Sequence, residues 1–275
     1  MDPRASISSP CREGTLEAWA WSYVVADDLA RKFELGPPPR ELEVDAPPRR
    51  ELRPGRPPSL AIAHTKAKTP GPDAFRAPSR RARVVHTFLH HELQAAELMC
   101  WAILAFPRAP EKFRLGLAKI ARDEVRHMGM YAEHLKALGS AFGDFPVRDW
   151  FWERVPAAET EAHFVATMGM GFEGGNLDHT RRFAERFRAV GDREGARIEE
   201  AIFEEEIPHV RFATAWFHTF TGCDDFAAWV RHLPPPLSPM LMRGQPLERD
   251  GRVRAGFSPS FVDELTRWQA VESGS

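Results

Sequence analysis

Apolar residues recur every three or four positions through four long stretches of this chain, and that rhythm predicts four long helices. The first is expected from Ser79, a plausible N-cap after Pro78, to Pro107. The second starts near Pro110 and stops at Gly139, the third runs from about Ala157 to Val190, and the fourth from about Asp192 to Phe220, closed by Gly222. A single N-terminal helix is expected over residues 15–35 (TLEAWAWSYVVADDLARKFEL), ending at Gly36. Prolines at short intervals make 36–78 an extended connector, whose scattered Leu, Val and Ile favour docking along the surface. Residues 140–156 (SAFGDFPVRDWFWERVP) form an aromatic crossover, and the tail holds a short helix, the segment LPPPLSP and an amphipathic helix near 258–269. No β-rich stretch competes. Two short-loop helix pairs joined by one longer connection make an all-α four-helix bundle. The expected organisation is residues 1–78 as N-terminal helix and connector, 79–222 as the bundle and 223–275 as a C-terminal helical extension.

Composition narrows the class. A formal net charge of -2 over 275 residues gives no global basic field for nucleic acid. No apolar run is long enough to span a membrane, and the N-terminal MDPRASISSPCREG has no apolar segment of the kind a secretion signal needs, so a cytoplasmic protein is expected. Cys11, Cys100 and Cys223 have neither disulfide-framework nor zinc spacing, and no Cys-x-x-Cys occurs to suggest a rubredoxin-type centre. Phe and Trp are abundant while Tyr23 and Tyr131 are the only tyrosines, which predicts a bulky apolar core.

Two segments break the apolar pattern: DEVRH (123–127) on the second long helix and EEIPH (205–209) on the fourth. Each contains Glu-x-x-His, which puts a carboxylate and an imidazole on one helix face about 4.5 Å apart along the axis. With eleven histidines in the chain, one such match arises by chance, and a solvated pair is its ordinary meaning. Two matches at equal depth are different. Counting back across the turns, Glu92 and Glu173 lie level with Glu124 and Glu206, at intervals of 32 and 33 residues. Four carboxylates and two imidazoles, Glu92, Glu124, His127, Glu173, Glu206 and His209, suit two divalent ions. Without metal, such a cluster repels itself and pushes carboxyl pKa values up. Glu124 and Glu206 are the bridging candidates. Asp123 and Glu205 are placed to accept imidazole N–H groups, Arg126 to balance one of those charges, and Tyr131 to face the same centre. Pro208 should kink the fourth helix beside its ligands.

Other residues have blander readings beside these. Glu97 is the rival to Glu92 but sits about 7.5 Å off level, and His90 and His91 are read as hydrogen-bonded rather than metal-bound. The glycines at 169, 171, 174 and 175 admit close packing, a bulge or a substrate. At least two of Asn176, Asp178 and His179 are expected at the surface, Arg181, Arg182, Arg186 and Arg188 on a solvated face, and Cys100 in the core.

DEVRH and EEIPH resemble the repeated pattern of ferritin-like diiron carboxylate proteins. HHELQAAEL, DEVRHMGMYAEHLKALGSAFGDFPVRDWFWERVP and EEEIPHVRFATAWF are similar to the bacterial ferritin-like family catalogued as domain of unknown function 455. The resemblance implies a ferritin-like bundle with a two-iron centre, in which Mn/Fe or dimanganese is an alternative. It leads to the expectation of an oxidoreductase that activates dioxygen to oxidise or hydroxylate a small organic substrate, served by an electron donor protein. In that role Glu92, Glu124, Glu173 and Glu206 are also the catalytic set. A ferroxidase or iron-handling protein and a purely structural dimetal site are the alternatives.

Overall fold

The computed structural model describes residues 10–63 and 71–269, so the first nine residues, part of the expected connector (64–70) and the last six residues lie outside the described residues. The described elements are helical, with one isolated parallel bridge between Ile62 and Val147. In chain order the α-helices are α1 (Leu16–Val24), α2 (Leu29–Lys32), α3 (Pro78–Ala105), α4 (Glu111–Ala137), α5 (Glu161–Phe164), α6 (Gly174–Ala189), α7 (Arg193–Thr221), α8 (Phe226–Arg231), α9 (Arg249–Arg254) and α10 (Pro259–Arg267). A π-helical stretch, Val165–Glu173, joins α5 to α6 without a break. No described helix is long and apolar enough to cross a membrane.

Local chemistry moves several boundaries. The expected single N-terminal helix is two, because the Asp28 carboxylate accepts from the Ala30 amide and starts a fresh helix where the first would have continued. Pro78, not Ser79, opens α3: proline at the first helical position has the right φ and lacks an amide that would go unpaired. The third long helix begins at Glu161, where Thr160 accepts from the His163 amide, and residues 155–157 are only a 3-10 turn. Gly139 and Gly222 end their helices at φ 79° and 70°, a conformation that costs glycine little. Pro208 lies inside α7, which runs unbroken through it for 29 residues.

The α3–α4 and α6–α7 pairs supply the main packing, with α4 also against α7. The connector is docked: Val147 pairs with the Ala61 carbonyl at 2.9 Å, the Arg49 amide with the Leu104 carbonyl at 2.9 Å, and Trp101 Nε1 with the Arg50 carbonyl at 3.0 Å. The crossover packs Phe151 on Phe172 of the π stretch, ring centroids 4.7 Å apart.

The glycine cluster serves close approach on two sides. A Cβ at Gly169 would overlap that of Ala213 on α7, and at Gly171 it would come within 2.8 Å of Met242 Sδ from the C-terminal segment. Gly169→Ala is therefore expected to destabilise the fold by about 1–3 kcal/mol despite alanine's better helix propensity. Urea denaturation with an unchanged midpoint would contradict this.

Candidate metal centre

The centre forms where α3, α4, the end of the π stretch and α7 meet. Glu92 comes from α3, Glu124 and His127 from α4, Glu173 from the last π position, and Glu206 and His209 from α7. All six are buried, and they make two overlapping groups: Glu92, Glu124, His127 and Glu206, and Glu124, Glu173, Glu206 and His209. Within each group, ligand atoms lie within 4.8 Å of one another. Glu124 and Glu206 belong to both.

Glu124 faces two ways. Its Oε2 is 3.2 Å from His127 Nδ1 and its Oε1 is 3.0 Å from His209 Nδ1. Glu92 Oε2 approaches His127 Nδ1 at 3.5 Å, and Glu206 Oε2 approaches His209 Nδ1 at 3.4 Å. Both Nδ1 atoms thus point inward and both Nε2 atoms outward. The outward atoms meet carboxylates of the opposite motif: His127 Nε2 lies 2.7 Å from Glu205, and His209 Nε2 lies 3.3 Å from Asp123. Arg126 joins the two acceptors, at 2.8 Å from Glu205 Oε1 and 3.4 Å from Asp123 Oδ1. Each helix therefore orients the other helix's imidazole, an arrangement that fixes ring direction and tautomer.

Hydrogen bonding leaves the interior of the cluster unsatisfied. Glu124 Oε1, Glu173 Oε1, Glu206 Oε2 and His209 Nδ1 are all buried without a hydrogen-bond partner. A buried polar atom left unpaired costs about 1–3 kcal/mol. One atom from each member of the second group is in this state, and a cation held among them would satisfy all four. The donor set, oxygen-rich with one imidazole in each group, suits hard to borderline divalent cations.

Protons do the compensating in the metal-free chain. Burial, with Glu124 adding to it against His127, raises the Glu92 carboxyl well above its usual range. Burial and the Glu206 and Glu124 charges do the same to Glu173. Burial would also raise Glu124, but the imidazolium groups of His127 and His209 hold it well below the ordinary carboxylate value. The expectation that the whole cluster shifts upward is corrected at this position. His127 and His209 go up despite burial, His127 chiefly through Glu124, and His209 through Asp123 and Glu124.

Three sequence expectations change. Tyr131 does not reach a ligand: its hydroxyl donates to Glu199 Oε1 at 3.0 Å, one heptad along α7 from Glu206. Of Asn176, Asp178 and His179, Asp178 is buried and the other two are half-buried, each with an internal partner. Asn176 Nδ2 donates to Glu206 Oε1 at 3.0 Å, Asp178 is buried against Arg252 at 2.7 Å, and His179 contacts Arg182. The arginine row is not merely solvated, since Arg181 lies over Phe203, Arg182 over Phe183, and Arg188 pairs with Glu200. Glu199 was the missed residue, and Asn176 was singled out but not as a partner of Glu206. Glu199 was findable, because it precedes Glu206 by seven residues on the same face.

Glu97 belongs to a separate buried cluster. It takes Lys32 Nζ at 2.7 Å, Arg56 Nη1 at 2.6 Å and Trp152 Nε1 at 2.8 Å, and Arg56 continues to Asp149, which His90 approaches at 3.2 Å. His91 stacks on Phe151. Cys100 is fully buried and its thiol is pushed up by burial, so it is a core residue.

Two buried carboxylate–imidazole groups in an all-helical body define a candidate metal-binding helical protein. The chain belongs to the family described as protein of unknown function (DUF455), which it matches over residues 16–263. It is 28% identical over 204 residues to an uncharacterized protein of Haemophilus influenzae, covering 69% of each chain. No solved structure matches it.

Proposed function

We propose that this protein is a dimetal carboxylate oxidoreductase on a ferritin-like four-helix bundle, holding two iron ions and using dioxygen to oxidise or hydroxylate a small organic substrate. The observation that carries the reading is the set of four orphaned, converging donor atoms, with Glu124 shared between two imidazoles. Glu124 and Glu206 would bridge, Glu92 and His127 would complete one position, and Glu173 and His209 the other. Iron bound there supplies one-electron chemistry and Lewis acidity toward dioxygen; manganese fits the same donors. The chain's own part is positioning. Asp123 and Glu205 hold the imidazoles, Asn176 holds Glu206, and the surrounding apolar core excludes water. An electron donor protein completes the cycle.

A second reading, iron oxidation and handling, draws on one feature. The seam outside the imidazoles is charged and partly open, with side chains of Asp123, Arg126 and Glu205 exposed to 29%, 49% and 36%. That seam is where ions would enter under this reading.

Metal analysis after anaerobic iron loading, followed by oxygen-electrode measurements on the reduced protein, separates these. Two irons per chain with oxygen uptake that continues under added reductant supports the oxidoreductase. Uptake that ends when the added ferrous ion is consumed supports ferroxidase. Tight metal with no uptake leaves a structural centre and overturns both.

A further inference from the structure

A second polar series runs along the α4–α7 seam beyond the ligands. On α7, Asp192, Glu199 and Glu206 recur every seven residues, so they share a face at spacings of about 10.5 Å. Asp192 is the N-cap of the helix and the other two lie within it. Facing them on α4 are His134, Tyr131 and His127. Tyr131 donates to Glu199 at 3.0 Å, and His134 Nε2 is 3.1 Å from Asp192 Oδ2. His127 and Glu206 share a ligand group.

The middle level is the informative one. Tyr131 and Glu199 are 3% and 1% exposed, with Phe88 against the tyrosine ring at 5.8 Å. Among the described residues, Tyr131 is the hydrogen-bond partner Glu199 has and no cation pairs with it. An apolar pair would pack here at no desolvation cost, so stability does not account for an acid at this position. Burial pushes the Glu199 carboxyl up to about 8, with the Tyr131 hydroxyl pulling the other way, so it carries a proton at neutral pH. Burial chiefly, with the neighbouring carboxyls of Glu199, Glu92 and Glu206 adding to it, holds the Tyr131 hydroxyl well above its ordinary value. At the outer level, His134 Nδ1 is buried without a hydrogen-bond partner, while the Asp192 carboxylate, its side chain only 7% exposed, is also held by Arg81 at 3.0 Å and by the Gly195 amide.

We propose that Tyr131 and Glu199 form a proton store and relay for the dimetal centre. The inference rests on the dioxygen-reducing reading above. Reduction of dioxygen to water takes up one proton for each electron. The electrons come from the reduced metal pair and the donor protein. The proton leaves the Glu199 carboxyl by way of the Tyr131 hydroxyl, and the carboxylate regains one from solvent between turnovers.

The test uses the full chain in two forms. Zinc-loaded protein, in which the ligand carboxylates are ionised, is expected to show a carboxylic-acid C=O band at pH 7 that vanishes in Glu199→Gln and shifts in Tyr131→Phe. Iron-loaded, reduced Glu199→Gln is expected to bind iron like the wild type yet consume oxygen about 100-fold more slowly, the scale of a lost general acid. Tyr131→Phe is expected to slow likewise, and serves if the first variant does not fold. A spectrum in which Glu199→Gln removes no acid band, or a wild-type oxygen rate in both variants, overturns the relay alone. Metal-loaded wild-type protein that consumes no oxygen overturns the proposed function and the relay with it.

Discussion

Glu124→Ala is expected to strip both metal ions from the protein, whereas His127→Ala or His209→Ala weakens chiefly one. The asymmetry follows from geometry: the two Glu124 oxygens face different imidazoles, and the residue belongs to both ligand groups. Loss of a single outer partner of a ligand typically costs 10–100-fold in affinity, about the effect expected for Glu205→Ala, and loss of a shared ligand costs more. Helicity should survive. Without Glu124 the two histidines lose one of the charges that raise them, His127 most, and Glu92 and Glu173 lose a repelling neighbour. Elemental analysis beside circular dichroism reads both quantities, and two ions retained by a helical Glu124→Ala protein would reject the assignment.

The same charges set a pH dependence. Glu92, Glu173, His127 and His209 all hold protons more tightly in the folded chain than in the unfolded one. Their contribution to metal-free stability is therefore largest at low pH and is lost as pH rises through the raised values. Glu124 runs the other way: its contribution is present above the usual carboxylate range and disappears as acid titrates it. Metal displaces the extra protons, so affinity climbs with pH. Thermal melts of metal-free and zinc-loaded protein should diverge as the buffer moves from pH 6 to about 8.

What was legible in the sequence was what α-helical periodicity determines. Depth along a helix follows from counting residues at 1.5 Å each, so the level of Glu92 with Glu124 and of Glu173 with Glu206 emerged from turn positions. Facing direction is less secure. The π stretch ending at Glu173 changes the rotation per residue just ahead of that ligand, and α-helical counting across it cannot fix where the carboxylate points. Cross-helix partners were legible only by type. Asp123 and Glu205 were recognisable as imidazole acceptors, but that each serves the other motif's histidine depends on the antiparallel register of α4 and α7. Tyr131 illustrates the limit, since its face was right and its partner, Glu199, came from another element. The N-terminal break at Asp28 is a local competition between capping and helix continuation, which apolar rhythm does not report.

Glu97→Ala is expected to do the reverse of Glu124→Ala: retain metal in the folded protein and cost the fold about 3–5 kcal/mol, the scale of breaking a buried ion pair by removing one partner. Glu97 and Lys32 are both fully buried, and Glu97 also accepts from Arg56 and Trp152. Burial alone would raise the Glu97 carboxyl, but Arg56 and Lys32 pull it below its usual value, so it remains a carboxylate there. Its removal strands the Lys32 ammonium, which among the described residues keeps the Tyr23 and Val24 carbonyls and the Tyr23 ring but no counter-charge, and leaves the Trp152 N–H unpaired. These partners come from α2, the connector and the crossover, so the variant should loosen the N-terminal segments from α3 before the α4–α7 seam. Replacing the pair together, Lys32→Met with Glu97→Leu, should recover part of the loss, because well-packed apolar groups substitute for a buried ion pair at little cost. Urea denaturation and metal content, measured on the same samples, decide the matter. A Glu97→Ala protein of undiminished stability that has lost its metal would make Glu97 the α3 ligand and displace Glu92 from the centre.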